Sequence, residues 1–119
     1  MRPTILLVDD EPAIRNLLAH ALDKHGYDVS EAADGVEALA VARDMKRIDA
    51  VVSDICMPYL NGFAMAAELR VLFPDLHFVF ISGYPVDHSL IGKNAMLLTK
   101  PFLPTELYAT IAAASSFSH

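Results

Sequence analysis

Short apolar runs alternate along this chain with longer segments whose apolar residues recur every three or four positions. Thr4–Val8 is a compact, partly β-branched run and predicts a strand buried on both faces. Pro12 stands where a helix begins; Ile14, Leu17, Leu18, Ala21 and Leu22 continue at helical spacing, and Gly26 supplies the stop. Tyr27–Ala32 alternates weakly, as an edge strand does. Val36, Leu39, Ala40 and Ala42 predict a second helix starting near Asp34 and Gly35. Ile48–Ser53 reads as another buried strand, ending on Asp54. After Asn61 and Gly62, Phe63–Leu72 is helical until Pro74, and Leu76–Ile81 is a buried strand closed by Ser82 and Gly83. Tyr84–Asn94 has no clear period and leaves room only for a short helix. Met96–Thr99 predicts the last strand. Pro104, Thr105 and Glu106 open a final helix carrying Leu107, Ile111 and Ala114, and Ser115–His119 reads as a frayed tail. Strands and helices thus take turns five times, the layout of an α/β, doubly wound parallel sheet in a single domain over residues 1–119.

Composition narrows the function classes. With 119 residues, 54% of them apolar, the chain suits one well-buried core. Its net charge is −6, and no basic run interrupts it, which argues against direct nucleic-acid binding. No apolar stretch reaches the length of a membrane span. Met1, Arg2 and Pro3 lead almost directly into the first strand, leaving no room for a signal peptide. One cysteine, Cys56, excludes an internal disulfide and suits a reducing compartment. A cytoplasmic protein is expected.

The chemistry sits at the ends of the predicted strands. Asp9 and Asp10 follow the first run, Asp54 the next buried one, Ser82 the one after, and Lys100 with Pro101 the last. Loops at the carboxyl ends of parallel strands converge on one crevice. Three carboxylates there would repel one another by about 4 kcal/mol per pair at 4 Å and an effective dielectric near 20. One lysine does not balance them, whereas a hard divalent cation with oxygen ligands does, so the pattern reads as a Mg²⁺ pocket for a phosphoryl group. Each piece has a plainer reading alone: the acids as a helix start, Ser82 and Gly83 as a turn, Lys100 as a solvated surface charge. His20, His25, His77, His88 and His119 show no metal-ligand spacing and read as surface or loop residues. Cys56 reads as a small side chain at the pocket rim, and the methionines as core filler.

Taken in order, Leu7-Val8-Asp9-Asp10-Glu11, Asp54-Ile55-Cys56-Met57-Pro58 with Gly62, Ser82-Gly83-Tyr84 and Thr99-Lys100-Pro101-Phe102 resemble the receiver domain of two-component response regulators, over essentially the whole chain. The resemblance implies a flavodoxin-like sheet of order 2-1-3-4-5. It implies that Asp54 takes a phosphoryl group from a sensor histidine kinase or phosphotransfer protein, assisting its own phosphorylation and dephosphorylation without being an enzyme. It further implies that Asp10 binds Mg²⁺ directly and Asp9 through a water, with Asp54 and the backbone carbonyl of Cys56 completing the protein ligands. Lys100 would neutralise phosphoryl charge and Ser82 would hydrogen-bond a phosphoryl oxygen after transfer. The Lys100–Pro101 peptide is expected to be cis, and the output is docking to a downstream protein.

Two departures from the family pattern stand out. Leu97 occupies a position where the family carries an aromatic ring, so Tyr84 or Phe102 is expected to transmit the switch instead. The stretch from Ser82 to Lys100 is about one helical turn shorter than the family's, which predicts a short or irregular fourth helix. Cys56 and Tyr84 stand where the family flanks the attacking water, which predicts slow to moderate self-dephosphorylation with Tyr84 shielding the phosphoryl bond. The alternatives are a receiver-like adaptor that is never phosphorylated and a magnesium phosphohydrolase with an aspartyl-phosphate intermediate; a flavin module ranks below both. The oligomeric state, the kinase and the downstream partner stay open.

Overall fold

The structure, a computed structural model, describes residues 2–115, with Ser115 described in its backbone alone. Its elements run β1 (Thr4–Val8), α1 (Pro12–Lys24), β2 (Asp28–Ala32), α2 (Gly35–Asp44), β3 (Ala50–Asp54), α3 (Gly62–Leu72), β4 (His77–Ser82), β5 (Ala95–Thr99) and α4 (Pro104–Ser115). All pairings are parallel and the strand order is β2-β1-β3-β4-β5. This is the doubly wound sheet expected from the alternation, with β2 on one edge.

Period-two alternation sends each strand's residues to two cores. Leu6, Val8, Val51, Phe78 and Phe80 face α2 and α3, where they meet Ala38, Leu39, Ala42, Met65 and Leu69. Ile5, Leu7, Val52, Val79, Ile81 and Leu98 face the other way, against Leu22 of α1 and Leu107 and Ile111 of α4. Phe78 and Phe80, two apart on β4, stack at 5.6 Å, and Phe63 meets Phe80 edge-on at 5.1 Å. Each such large side chain, fully buried, contributes roughly 1.5–3 kcal/mol. These strands therefore hold their carboxyl ends as a fixed platform.

Local chemistry sets the helix starts. The Asp34 side chain accepts from Glu37 N–H, while Glu37 accepts in return from Ala33 N–H. Asn61 accepts from Ala64 N–H at the start of α3. Glu11 caps α1 without a side-chain bond, and Pro12 occupies the first turn, where its missing donor costs nothing.

Several expectations need correction. Val36 and Ala40 of α2 face solvent, because Ala38, Leu39 and Ala42 make the buried stripe. Leu17 of α1 is likewise 66% exposed. Strand β3 starts at Ala50 rather than Ile48, since Asp49 is occupied with Thr4 N–H and the Arg47 guanidinium. His77 is neither a surface nor a loop residue; it opens β4, partly buried. Met96 is exposed rather than core filler. Between β4 and β5 the described residues hold only a three-residue 3-10 turn, His88–Leu90, so the short crossover stands as predicted. The expected tail falls on residues 116–119, outside those described, while Ser115 still belongs to α4.

Candidate functional site

Asp9 directly follows β1, Asp54 ends β3, Ser82 ends β4 and Lys100 directly follows β5, so the sheet delivers all four to its carboxyl edge. Parallel register aligns them, with Val8 opposite Ser53, Asp54 opposite Ile81 and Ser82 opposite Thr99. Lys100 N–H donates to the Ser82 carbonyl at 2.8 Å, extending the β4–β5 ladder to the lysine itself. The Lys100–Pro101 peptide is cis, as expected.

The site opens as a cleft of about 390 Å³ lined by Asp10, Glu11, Asp54, Cys56, Ser82, Gly83, Tyr84 and Lys100. Lys100 Nζ lies 3.5 Å from Asp54 Oδ2. Carboxylate oxygens of Asp9, Asp10 and Asp54 all lie within 4.8 Å of one another. Asp9 is 2% exposed, and burial pushes its carboxyl above the usual range. The Glu11 N–H bond opposes that shift, the Asp54 charge adds to it, Lys100 opposes it and Asp10 adds to it. A buried carboxylate beside two others is a place where a cation relieves repulsion, and an all-oxygen donor set fits a hard cation such as Mg²⁺.

Ser82 is engaged with its own loop. Its Oγ donates to the Tyr84 carbonyl at 2.8 Å and accepts from Tyr84 N–H at 3.0 Å, so it holds the following loop. Cys56 is an exposed free thiol at the cleft wall. Every residue singled out for the site from sequence thus gathers at this edge.

Sequence reasoning singled out Gly62 with the Asp54 motif but not its contact, and it missed Arg15. Gly62, the first residue of α3, abuts the Asp54 backbone, and its N–H donates to the Ile55 carbonyl at 2.9 Å. Arg15 donates to the Asp9 carbonyl at 2.8 Å and lies 3.4 Å from Glu31, tying the α1 start to β1 and β2. An arginine on an amphipathic helix carries no sequence signal that separates this from solvation. Behind Lys100 lies a second cavity of about 450 Å³, lined mainly by Ile14, Leu17, Leu18, Phe102, Pro104 and Leu107.

Among the described residues no helix is long and apolar enough to cross a membrane. The family model for the response regulator receiver domain matches residues 5–112. The sensor kinase CckA of Brucella abortus is 42% identical over 113 residues, covering 91% of this chain and 12% of that protein. The response regulator MprA of Mycobacterium leprae is 42% identical over 114 residues, covering 92% of this chain and 49% of that protein. The chain therefore spans half the length of these relatives or less. Among solved structures, the chemotaxis response regulator CheY4 of Vibrio cholerae superposes with a TM-score of 0.86 at 30% identity, covering 96% of this chain and 99% of that one. The receiver domain of the hybrid histidine kinase CckA gives 0.82 at 34% identity, covering 93% and 97%.

Proposed function

The chain belongs to the response regulator receiver domain family, a regulatory domain of two-component signalling, and we propose on that footing that Asp54 is its phosphoacceptor. The observation that carries this reading is the 3.5 Å approach of Lys100 Nζ to Asp54 Oδ2 in the cleft where Asp9, Asp10 and Asp54 converge. An Asp54 carboxylate oxygen attacks the phosphorus of a phosphohistidine on a partner kinase or phosphotransfer protein. The new O–P bond forms as the N–P bond breaks, and the imidazole nitrogen keeps the electron pair.

Asp9, Asp10, Asp54 and the Cys56 backbone carbonyl would hold Mg²⁺, which when bound offsets the charge of the phosphoryl oxygens. Lys100 supplies a second positive charge, freed from Asp54 as its carboxylate loses its charge in the acyl phosphate. Ser82 then turns its O–H from the Tyr84 carbonyl to a phosphoryl oxygen, which breaks one of the two bonds that hold the loop and draws the other, from Tyr84 N–H, along with the hydroxyl. The apolar cavity behind Lys100 shares that lysine with the carboxylate cleft and suits the protein donor's apolar flank. The output is a change in docking to a downstream protein.

Fluorine NMR with beryllofluoride, a phosphoryl mimic, tests this reading. A bound signal is expected that requires Mg²⁺ and disappears in Asp54→Asn. A signal that persists in that variant contradicts it.

A further inference from the structure

Arg70 leaves the last turn of α3 and reaches across to the segment that joins β4 to β5. Its Nη2 donates to the Ile91 carbonyl at 2.9 Å and to the Lys93 carbonyl at 3.1 Å. The guanidinium carbon stands 4.6 Å from the centre of the Phe78 ring, in cation–π contact. Between the two accepted carbonyls lies Gly92, at φ +81°, and a Cβ there would stand 2.7 Å from Arg70 Nη1. The one residue that must curl around the guanidinium is thus one without a side chain. Burial lowers the Arg70 pKa, and its buried Nε–H has no partner among the described residues.

We propose that Arg70 is the lower anchor of this crossover, standing in for the missing helix, and that it confines the response to phosphorylation to residues 83–90. The inference rests on the reading of Asp54 and Ser82 above. Below the anchor the chain is fixed. Ile91 is buried in the α3-facing core, and the Asn94 carbonyl accepts from Phe78 N–H at 2.8 Å, where the β4–β5 ladder begins. Above it the hydrogen bonds are local, Asp87 with Ser89 and Leu90 and Ser82 with Tyr84, and the one side chain packed against the α3-facing core is Val86, partly buried. Tyr84 and Leu90 are 69% and 61% exposed.

A hydroxyl has one proton to donate, so Ser82 cannot serve a phosphoryl oxygen and the Tyr84 carbonyl together. Release therefore starts at Tyr84 and runs down the segment until it meets Arg70. Leu97 packs against the same core as Ile91, so a response confined above the anchor needs no moving ring at that position. The surface that distinguishes the two states is then Tyr84–Leu90, and the downstream partner reads it.

Hydrogen exchange read by mass spectrometry tests this, on the full chain with and without Mg²⁺ and beryllofluoride. In the wild type the mimic is expected to change exchange in residues 84–90 and leave the Ile91 and Phe78 amides alone. In Arg70→Gln, the Ile91 and Phe78 amides, which donate to His88 and Asn94 on either side of the anchor, should exchange roughly tenfold faster without any mimic, and the mimic's effect should spread to them. Arg70→Lys should not restore protection, because an ammonium lacks the planar fork that bridges two carbonyls over a ring. If Arg70→Gln unfolds, Gly92→Ala, which displaces the guanidinium and keeps its charge, should show the same loss of protection. Wild-type changes that reach the Ile91 and Phe78 amides, or unaltered protection of both in the folded variants, overturn the proposal. A mimic that perturbs nothing near Asp54 in wild type defeats the phosphoacceptor reading instead, and the comparison without mimic still decides whether Arg70 anchors the segment.

Discussion

Gly62 lies so close to Asp54 that a Cβ built on it would stand 2.6 Å from the Asp54 carbonyl oxygen and 3.1 Å from Ile55 Cα. The start of α3 therefore presses directly on the backbone that carries the acceptor. Gly62→Ala must move one against the other, at a cost of about 1–3 kcal/mol for overpacking. Thermal unfolding should show a lowered Tm, and phosphorylation from a small donor should slow as Asp54 is displaced. A variant with wild-type Tm and rate would contradict this contact.

Asp9 is predicted to stabilise the fold less than an asparagine does when no metal is bound. Burial, with the Asp54 and Asp10 charges, raises its carboxyl pKa against the opposing pull of Glu11 N–H and Lys100. A folded-state value above the unfolded one means that the folded protein binds the proton more tightly. The stability this contributes is complete below the unfolded value, about 3.9 for an aspartate, and is lost as pH rises through the raised folded value. At pH 7 without divalent cations, Asp9→Asn should thus be the more stable by on the order of 1 kcal/mol. The gap should close in acid, and added Mg²⁺ should favour the wild type. Melting curves across pH, with chelator and with Mg²⁺, check all three.

Leu17 projects from α1 beside the apolar cavity behind Lys100 and is 66% exposed. Leu17→Glu should leave phosphorylation by a small donor unchanged, since the side chain does not line the carboxylate cleft. Transfer from a phosphohistidine protein should fall roughly tenfold if the cavity receives the donor's apolar flank. Transfer from the phosphohistidine protein at the wild-type rate in the variant would remove the cavity from the account.

Tyr84 lines the cleft with its ring largely in solvent. Tyr84→Ala should shorten the lifetime of the phosphorylated state a few-fold by opening the bond to water. Dephosphorylation followed by intact mass checks this, and hydrolysis slower in the variant than in the wild type would refute shielding.

Strand ends and their chemistry were legible in the sequence because both follow short-range rules. An apolar run of five residues closed by an acid needs no knowledge of the rest of the chain. Helix faces were harder where apolar and small residues crowd together. Val36 and Ala40 fit the periodic pattern, but Ala38 and Ala42 give α2 its close contact with the sheet. The supports of the site were invisible for another reason. Arg70 meets carbonyls 21 and 23 positions away, and Gly62 meets the end of a strand from the start of the next helix. Such contacts are set by the packing of layers. The weak period of Tyr84–Asn94 was itself informative, since a segment with one three-residue turn and only Val86 and Ile91 packed inward has no helical stripe to display.

Intact-mass spectrometry after incubation with a small phosphodonor, with and without Mg²⁺, tests the phosphoacceptor claim most directly. The wild type should gain one phosphoryl group that requires the metal, Asp54→Asn should gain none, and Lys100→Ala should gain it far more slowly. A metal-independent adduct, or one that survives in Asp54→Asn, would contradict the account.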